Sequence, residues 1–424
     1  MKVLFISPSA GDAYYCGNCF RDNLQAQALQ QAGHEVVVMP LYLPMKISTE
    51  GVPVFFPATS YYVEQALFKN GKMPRWMRKA IGAPKLLDMA SGLSGTTSSE
   101  GMEGMTLSMI EGADGAFRKN MDDMIAWMRA DGMPDVVHLS STLLIGIARI
   151  LKEETGVPIV CSLQDEEVWL DGLKQPYVPK AWNAISENAR FVDAFVTTSE
   201  FYRAIVRKRL PDLPDPAVVY PGVDLEKYST ETKPERPTIG FFYRMNRLDG
   251  LDLLAQAFVE LKRRGTVPGL QLRIGGGFMG SDDKRFLAEM KAILEPCKAD
   301  VIYDEYDSQR HADFYKKITV LSVPLRFEEG VGLYLCEAFA AGRPAVEPCT
   351  GSFPEILGNA GLLYDPETAT ETNPAAPLAD ALERLLTDAD LYQQSVDQAK
   401  QLAQERYNAT VMANELTNIY ESIK

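Results

Sequence analysis

The sequence predicts an α/β protein of two doubly wound domains, and three observations carry that expectation. The first is the opening: an apolar strand at residues 3–6, a glycine-containing loop at 7–18, a helix to Ala32 closed by Gly33, and a second strand at 35–39. That order is the start of a nucleotide-binding βαβ unit. The second is that the same alternation restarts with an apolar strand at 238–242, after a run at 231–237 whose two prolines and four charges read as a linker. The third is length, since 424 residues suffice for two or three domains with cores of their own. The expected domains are 1–230 and 238–405, with a last helix, 406–424, crossing back to the first.

Composition narrows the class. A hydrophobic content of 46% and a charged content of 24% are those of an ordinary globular protein. A net charge of −14 argues against nucleic acid or an anionic membrane as the main partner and leaves at most peripheral membrane contact. The opening apolar run is too short for a signal peptide, and no segment reaches the length of a membrane span, so a cytoplasmic protein is expected. Cys16, Cys19, Cys161, Cys297, Cys336 and Cys349 are scattered, and most read as reduced core residues. Cys16 and Cys19 have the spacing of a redox pair at a helix start, although the chain is not a short thioredoxin-like domain; two loop cysteines beside a binding site are the plainer reading. With three histidines and no metal-ligand cluster in view, no metal and no resident cofactor are expected.

Along the first half, residues 41–127 are irregular and rich in Met, Gly and Ser, with helical pieces at 62–69, 75–80 and 114–128. An insertion there suits loops that choose a substrate, and its methionines read as core filler. Strands follow at 135–139, 158–163 and 194–199, with helices at 143–154 and 200–210. The strand ending at Leu163 directs Gln164 and Asp165 to the carboxyl edge of the sheet, where such folds bind ligands. In the second half, the strand at 238–242 leads into a loop bearing Arg244, Arg247 and Asp249, then a helix at 251–264. A strand at 270–274 ends in Gly275, Gly276 and Gly277, another at 300–303 ends in Tyr303, and a helix follows at 308–317.

The densest chemistry lies at 326–356. An apolar strand at 319–325 precedes it and a helix at 333–341 lies within it. Glu329 therefore falls on the strand-to-helix loop, and Glu337 about one turn inside the helix. Gly330 and Gly332 let backbone approach a ligand, and the first N–H groups of the helix, from Leu333 on, suit a phosphate.

This stretch resembles the signature of retaining glycosyltransferases of family 4. Glu329, Gly330, Gly332, Glu337, Ala338, Ala340, Gly342 and Pro344 match it at eight of sixteen positions, and Gly351, Pro354 and Glu355 extend it. Gly33 to Val36 and the segment 218–224 resemble the family's opening helix end and the close of its first domain. The resemblance implies the GT-B fold, two Rossmann-like domains facing across a cleft. It implies transfer of a hexose from a nucleoside-diphosphate sugar to an acceptor hydroxyl, on a saccharide, lipid or small molecule, with retained configuration and no metal.

In that scheme Glu329 and Arg244 are catalytic. Gly17, Arg244, Arg247, Gly276, Tyr303, Gly330, Gly332, Leu333 and Glu337 hold the donor, with Glu337 on the ribose. His138, Gln164 and Asp165 contact acceptor or sugar. Two positions depart from the pattern. Gln164 stands where the family has a histidine, and cannot shuttle a proton. Asp249 stands where the family has the lysine that joins the arginine on the diphosphate. Losing one charged hydrogen bond there costs about 1.5–3 kcal/mol, and Arg247 is the nearest compensating cation. These departures favour an alternative, a non-catalytic protein that binds a nucleotide sugar. Another sugar-nucleotide enzyme of this fold, such as an epimerase or a phosphorylase-like transferase, is a further one.

Overall fold

The structure, a computed structural model, describes residues 1–8, 15–41, 102–112, 116–230, 234–278 and 280–424. The helices expected at 62–69 and 75–80 lie outside the described residues. The chain divides into two compact units. One comprises Met1–Gly11, Gln25–Val219 and Ala413–Lys424; the other comprises Asp12–Leu24 and Tyr220–Met412.

In the first unit, β1 (Lys2–Ser7), β2 (Glu35–Pro40), β3 (Val136–Leu139), β4 (Ile159–Leu163), β5 (Ala194–Thr197) and β6 (Ala217–Val218) form one sheet in the order β2-β1-β3-β4-β5-β6. Every pairing is parallel. Strands covered on both faces read as continuous apolar runs, which is why 3–6 and 36–39 carry no polar alternation. Helices α1 (Gly17–Gln31), α2 (Glu103–Glu111), α3 (Ala116–Asp131), α4 (Gly146–Thr155), α5 (Glu166–Leu170), α6 (Tyr177–Asn188) and α7 (Glu200–Arg209) alternate with them. Met109, Met121, Met124 and Met128 are buried in this core, as filler methionines should be.

The second unit repeats the plan. Its strands β7 (Thr238–Phe242), β8 (Gln271–Gly275), β9 (Val301–Tyr303), β10 (Val320–Leu321), β11 (Ala345–Pro348) and β12 (Gly361–Tyr364) run parallel in the order β12-β11-β10-β7-β8-β9. Helix α8 (Leu225–Tyr228) precedes the sheet. Helices α9 (Leu251–Arg264), α10 (Gly280–Leu294), α11 (Ala312–Tyr315), α12 (Leu333–Ala340) and α13 (Phe353–Leu357) connect the strands, and α14 (Ala376–Thr387) and α15 (Ala389–Glu405) follow. The last helix, α16 (Ala409–Ser422), contributes its residues from Ala413 to the first unit.

The strand expected over 319–325 pairs only at Val320 and Leu321. Pro324 carries no N–H, and the Val323 N–H goes to the Glu347 carboxylate at 3.0 Å rather than to a strand. Because β7 pairs with β8 on one side and with β10 on the other, the strand order reverses between β7 and β10. The loops after these two strands, 243–250 and 322–332, leave the same sheet edge at that reversal, where doubly wound sheets bind ligands.

Gly250, the residue before α9, has φ +76°, and a side chain there would drive into the Pro324 carbonyl oxygen. Gly265, which closes α9 at φ +69°, has open space around it. Gly265→Ala therefore carries only the left-handed backbone cost, about 1 kcal/mol. Gly250→Ala adds a backbone collision and should cost about 3 kcal/mol or more, a melting-temperature drop of roughly 6 °C or more. Thermal denaturation of the two variants tests this; equal shifts would mean that the 243–250 loop does not press on the segment after β10.

Candidate active site

The second unit's reversal point gathers two loops. Tyr243 and Arg244 follow β7; Glu329 follows β10. The Tyr243 hydroxyl reaches Glu329 Oε2 at 3.4 Å. Glu329 Oε1 accepts the backbone N–H groups of Val331 at 3.1 Å and Gly332 at 3.3 Å. Gly332 precedes α12 with φ +61°, a left-handed turn that swings these donors back onto the carboxylate. Glu329 is only 5% exposed. Burial raises its carboxyl above the ordinary value, against the pull of the N–H groups of Val331, Gly332 and Gly330 and of the Tyr243 hydroxyl. Gly351 lets the next turn close on this loop: a Cβ there would lie 2.7 Å from the Glu329 nitrogen.

Arg244 is mostly buried. Its guanidinium forms a two-point ion pair with Asp283 of α10, Nε to Oδ2 at 2.8 Å and Nη2 to Oδ1 at 3.2 Å. Asp249, at the other end of the loop, is 4% exposed and lies within electrostatic reach of Arg244, Glu329 and Asp283.

Arg247 does not join this group. Its side chain is 60% exposed, paired with Glu289 of α10 and laid over the Phe286 ring at 5.3 Å. The expectation that it replaces the missing lysine is corrected: its guanidinium is taken by Glu289 and lies over Phe286, exposed at the surface of α10. Tyr303, at the end of β9, is 38% exposed beside Lys291. Gly276 adopts φ +102°, and a side chain there would strike the Tyr243 carbonyl; its own carbonyl accepts the Tyr15 N–H at 2.7 Å. Gly17 opens α1 with open space where a side chain would project. Gly330 and Leu333 lie buried beside Glu329 and in the first turn of α12.

Glu337 stands one turn inside α12 and is fully buried. Its Oε1 accepts from Tyr228 Oη at 2.7 Å and is 2.9 Å from His311 Nε2. Its Oε2 accepts from Tyr315 Oη at 2.6 Å and Tyr15 Oη at 3.0 Å. Four partners fill the carboxylate's lone-pair positions. Burial pushes the group up, but His311 and the tyrosine hydroxyls outweigh it and hold the carboxyl below its ordinary value. The carboxylate is the hub of a polar cluster, and the ribose hydroxyls expected there would compete with these four partners. Phe20 packs on His311 with ring centroids 4.6 Å apart.

Of the residues expected in the first unit, His138 is a core side chain. It is fully buried on β3, with Nδ1 2.6 Å from Tyr420 Oη, Nε2 2.8 Å from Ser162 Oγ and Phe5 against the ring. That corrects its assignment to a ligand: both nitrogens face hydroxyls of the core. Gln164 does stand at the sheet edge, with Nε2 on the Ser140 carbonyl at 2.6 Å and Oε1 buried without a partner. Asp165 adopts φ +50°, the one non-glycine residue with positive φ among the described residues, and such strain collects at functional turns. Next to it is a carboxylate the sequence reading missed. Glu166 accepts from Ser141 Oγ and the Thr142 N–H, both at 3.1 Å, the Gln164 N–H at 2.6 Å and Tyr202 Oη at 2.8 Å. Asp283, Tyr15, Tyr228, Tyr315 and His311 were also missed. Each meets its partner across 22 or more residues of chain, so no local pattern marks it.

Cys16 and Cys19 are free thiols with Sγ atoms 3.0 Å apart at the start of α1. The Cys19 contact lowers the Cys16 thiol below its ordinary value. Among the described residues no group of acidic, histidine or cysteine side chains is arranged to hold a metal ion. Among the same residues, no helix is long and apolar enough to cross a membrane.

Comparison with known proteins finds two families. Residues 236–388 match Glycosyl transferases group 1, and residues 116–227 match Glycosyltransferase Family 4. A D-inositol 3-phosphate glycosyltransferase of Corynebacterium urealyticum is 31% identical over 226 residues, 49% of this chain and 51% of that protein. The chain thus spans about half the length of such curated relatives. Sucrose-phosphate synthase from Thermosynechococcus elongatus superposes with a TM-score of 0.72 at 16% identity, covering 100% of this chain and 98% of that one. Anabaena Alr3699/HepE, solved in complex with UDP, superposes at 0.70 with 14% identity and full coverage of both chains. At such identities the likeness shows the fold, which is GT-B.

The Glu337 cluster generates a stability prediction. A carboxyl depressed in the folded state contributes stability above its unfolded value, near pH 4.3, and loses it as pH falls through the folded value. Glu337→Gln should cost about 3 kcal/mol at neutral pH and flatten the loss of stability between about pH 5 and pH 3. Urea denaturation across that range measures both; an unchanged acid limb would mean that Glu337 is not the ionised hub.

Proposed function

Because this chain belongs to the group 1 and family 4 glycosyltransferases, we propose that it transfers a hexose from a nucleoside-diphosphate sugar to an acceptor hydroxyl with retained anomeric configuration. The observation that carries this reading is that Glu329 and Arg244 stand on the two loops of the second unit's reversal point, the Tyr243 hydroxyl on Glu329 and both within electrostatic reach of Asp249, with Glu329 at the N-terminus of α12. A carboxylate and a guanidinium on adjoining loops match the two charges that a departing sugar diphosphate develops.

In this reading the diphosphate lies by Arg244, which Asp283 aims through the two-point pair. The N–H groups of Leu333 and Tyr334 come ahead of the Leu335 N–H, which already donates to the Gly332 carbonyl at 2.9 Å, and they suit a phosphate oxygen. Glu329 faces the sugar, where its Oε2 takes the long Tyr243 contact, and steadies its hydroxyls or the positive charge growing at the anomeric carbon. The acceptor oxygen bonds to the anomeric carbon from the face that the phosphate leaves. The bond from that carbon to the phosphate oxygen breaks, and the departing phosphate takes the acceptor's proton. No step calls on a metal ion or a resident cofactor. Gln164 and Asp165, at the edge of the first unit's sheet, are the residues we assign to the acceptor, with Glu166 holding their turn in place. A cytoplasmic location is consistent with a nucleotide-sugar donor.

The reading is tested by following nucleoside diphosphate release from nucleotide hexoses with a panel of hydroxyl acceptors. Glu329→Gln should lower turnover about 100-fold or more, while the dissociation constant for the nucleoside diphosphate stays within about threefold. Equal loss of binding and turnover would contradict the role given to this carboxylate.

A further inference from the structure

Asp249 ends the loop after β7, with its N–H on the Asn246 side-chain oxygen at 3.0 Å. It is nearly inaccessible, and its Oδ2 has no hydrogen-bond partner. A buried carboxylate oxygen left unpaired is costly, so this side chain either awaits a ligand or carries a proton.

The groups around it decide which. Arg244, on the same loop, faces it, but the guanidinium already carries the two-point pair with Asp283 of α10. Asp283 and Glu329, the latter from the loop before α12, add negative charge. Tyr334 of α12 lies within electrostatic reach and is itself held neutral by burial. Glu347 on β11, fully buried beside Glu329, also has an unpartnered oxygen. Asp252, the next acid on the chain, is taken by Arg326 at 2.6 and 2.8 Å. Asp249 and Asp283 thus share one guanidinium, with Glu329 beside Asp249 and Glu347 beside Glu329. Such a set cannot ionise fully; Asp283 holds the ion pair and Glu329 the N–H groups of Val331 and Gly332, so protons go to Asp249 and Glu347, each of which has an oxygen without a partner. Burial, reinforced by Glu329 and Asp283 and opposed by Arg244 and a hydrogen bond with the Asn246 side chain, holds Asp249 well above the usual carboxylate range.

We propose that Asp249 is a neutral carboxylic acid in the donor site and that its O–H donates a hydrogen bond to a phosphate oxygen of the nucleoside diphosphate. This deepens the nucleotide-sugar reading and rests on it. A protonated acid offers the diphosphate a donor where an ionised one would repel it. The site thereby does with one acid proton part of what a second cation would do. It also makes donor capture pH-dependent: binding is complete while Asp249 holds its proton and weakens as pH rises through its value, about tenfold per pH unit.

The test uses the full chain and whichever of uridine, guanosine or adenosine diphosphate binds most tightly. Dissociation constants are measured from about pH 5.5 to pH 9 for the wild type and for Asp249→Asn, which keeps a donor at every pH. The ligand's own titration cancels in their ratio. The two chains should agree within about threefold at the acid end, and the variant should bind at least about tenfold tighter at the alkaline end. Asp249→Ser, a neutral donor of smaller size, should show the same pH-independent affinity if the asparagine variant does not fold. Calorimetry in buffers of different ionisation heat should show proton uptake on binding to the wild type at the alkaline end only. A wild-type to variant ratio flat across pH, with binding intact, overturns the role of Asp249. Absence of binding by every chain at every pH overturns the donor-site reading itself, and this role with it.

Discussion

The parallel pairing of β7 with β10 is the constraint on which the rest of the site depends. Only two residue pairs define it, Val320 with Ile239 and Leu321 with Gly240. Yet it brings together loops whose key residues, Arg244 and Glu329, are far apart in the chain, and sends both off one sheet edge. The close fit has identifiable causes. Gly240 leaves room for the Ile318 side chain, whose nearest atom would be 2.6 Å from a Cβ, and Gly250 and Gly351 let backbone pass against backbone. A helix N-terminus, a guanidinium and a carboxylate then meet without any one element being unusual.

The two glutamates of the 329–337 motif answer to opposite environments. Both are buried, and burial alone would raise both. At Glu329 it prevails, because the opposing partners are backbone N–H groups and one distant hydroxyl. At Glu337 it is overcome, because His311 and three tyrosine hydroxyls converge on the carboxylate. Position in the helix sets the difference: the loop residue faces the sheet edge, and the helix residue faces the aromatic packing of Tyr15, Phe20 and Phe242. Tyr15 belongs to the segment that closes over Glu337, so a ligand that reached this carboxylate would first displace a hydroxyl.

Much of this was legible in the sequence. The apolar strands, the linker composition and the glycines around Glu329 led to the doubly wound fold, and Glu329 and Glu337 fall on the loop and helix expected of them. What escaped was contact between distant residues. Nothing near Asp283 marks it as the partner of Arg244, and nothing distinguishes the tyrosines that surround Glu337 from the other tyrosines of the chain. Arg247 was misread because spacing along a loop does not say which way a side chain turns. His138 was misread because a histidine on a fully buried strand is satisfied within the core. Asp249 was read only as a lost cation, since a sequence shows a residue's ordinary ionisation and not its burial.

The account stands on a nucleotide sugar being held at the second unit's reversal point. A crystal structure of the chain with an unhydrolysed nucleoside-diphosphate sugar tests that most directly. It should show the diphosphate within hydrogen-bond distance of Arg244 and the first turn of α12, with the sugar against Glu329. A ligand seated elsewhere, or one reaching that edge without touching Arg244 or Glu329, would contradict it.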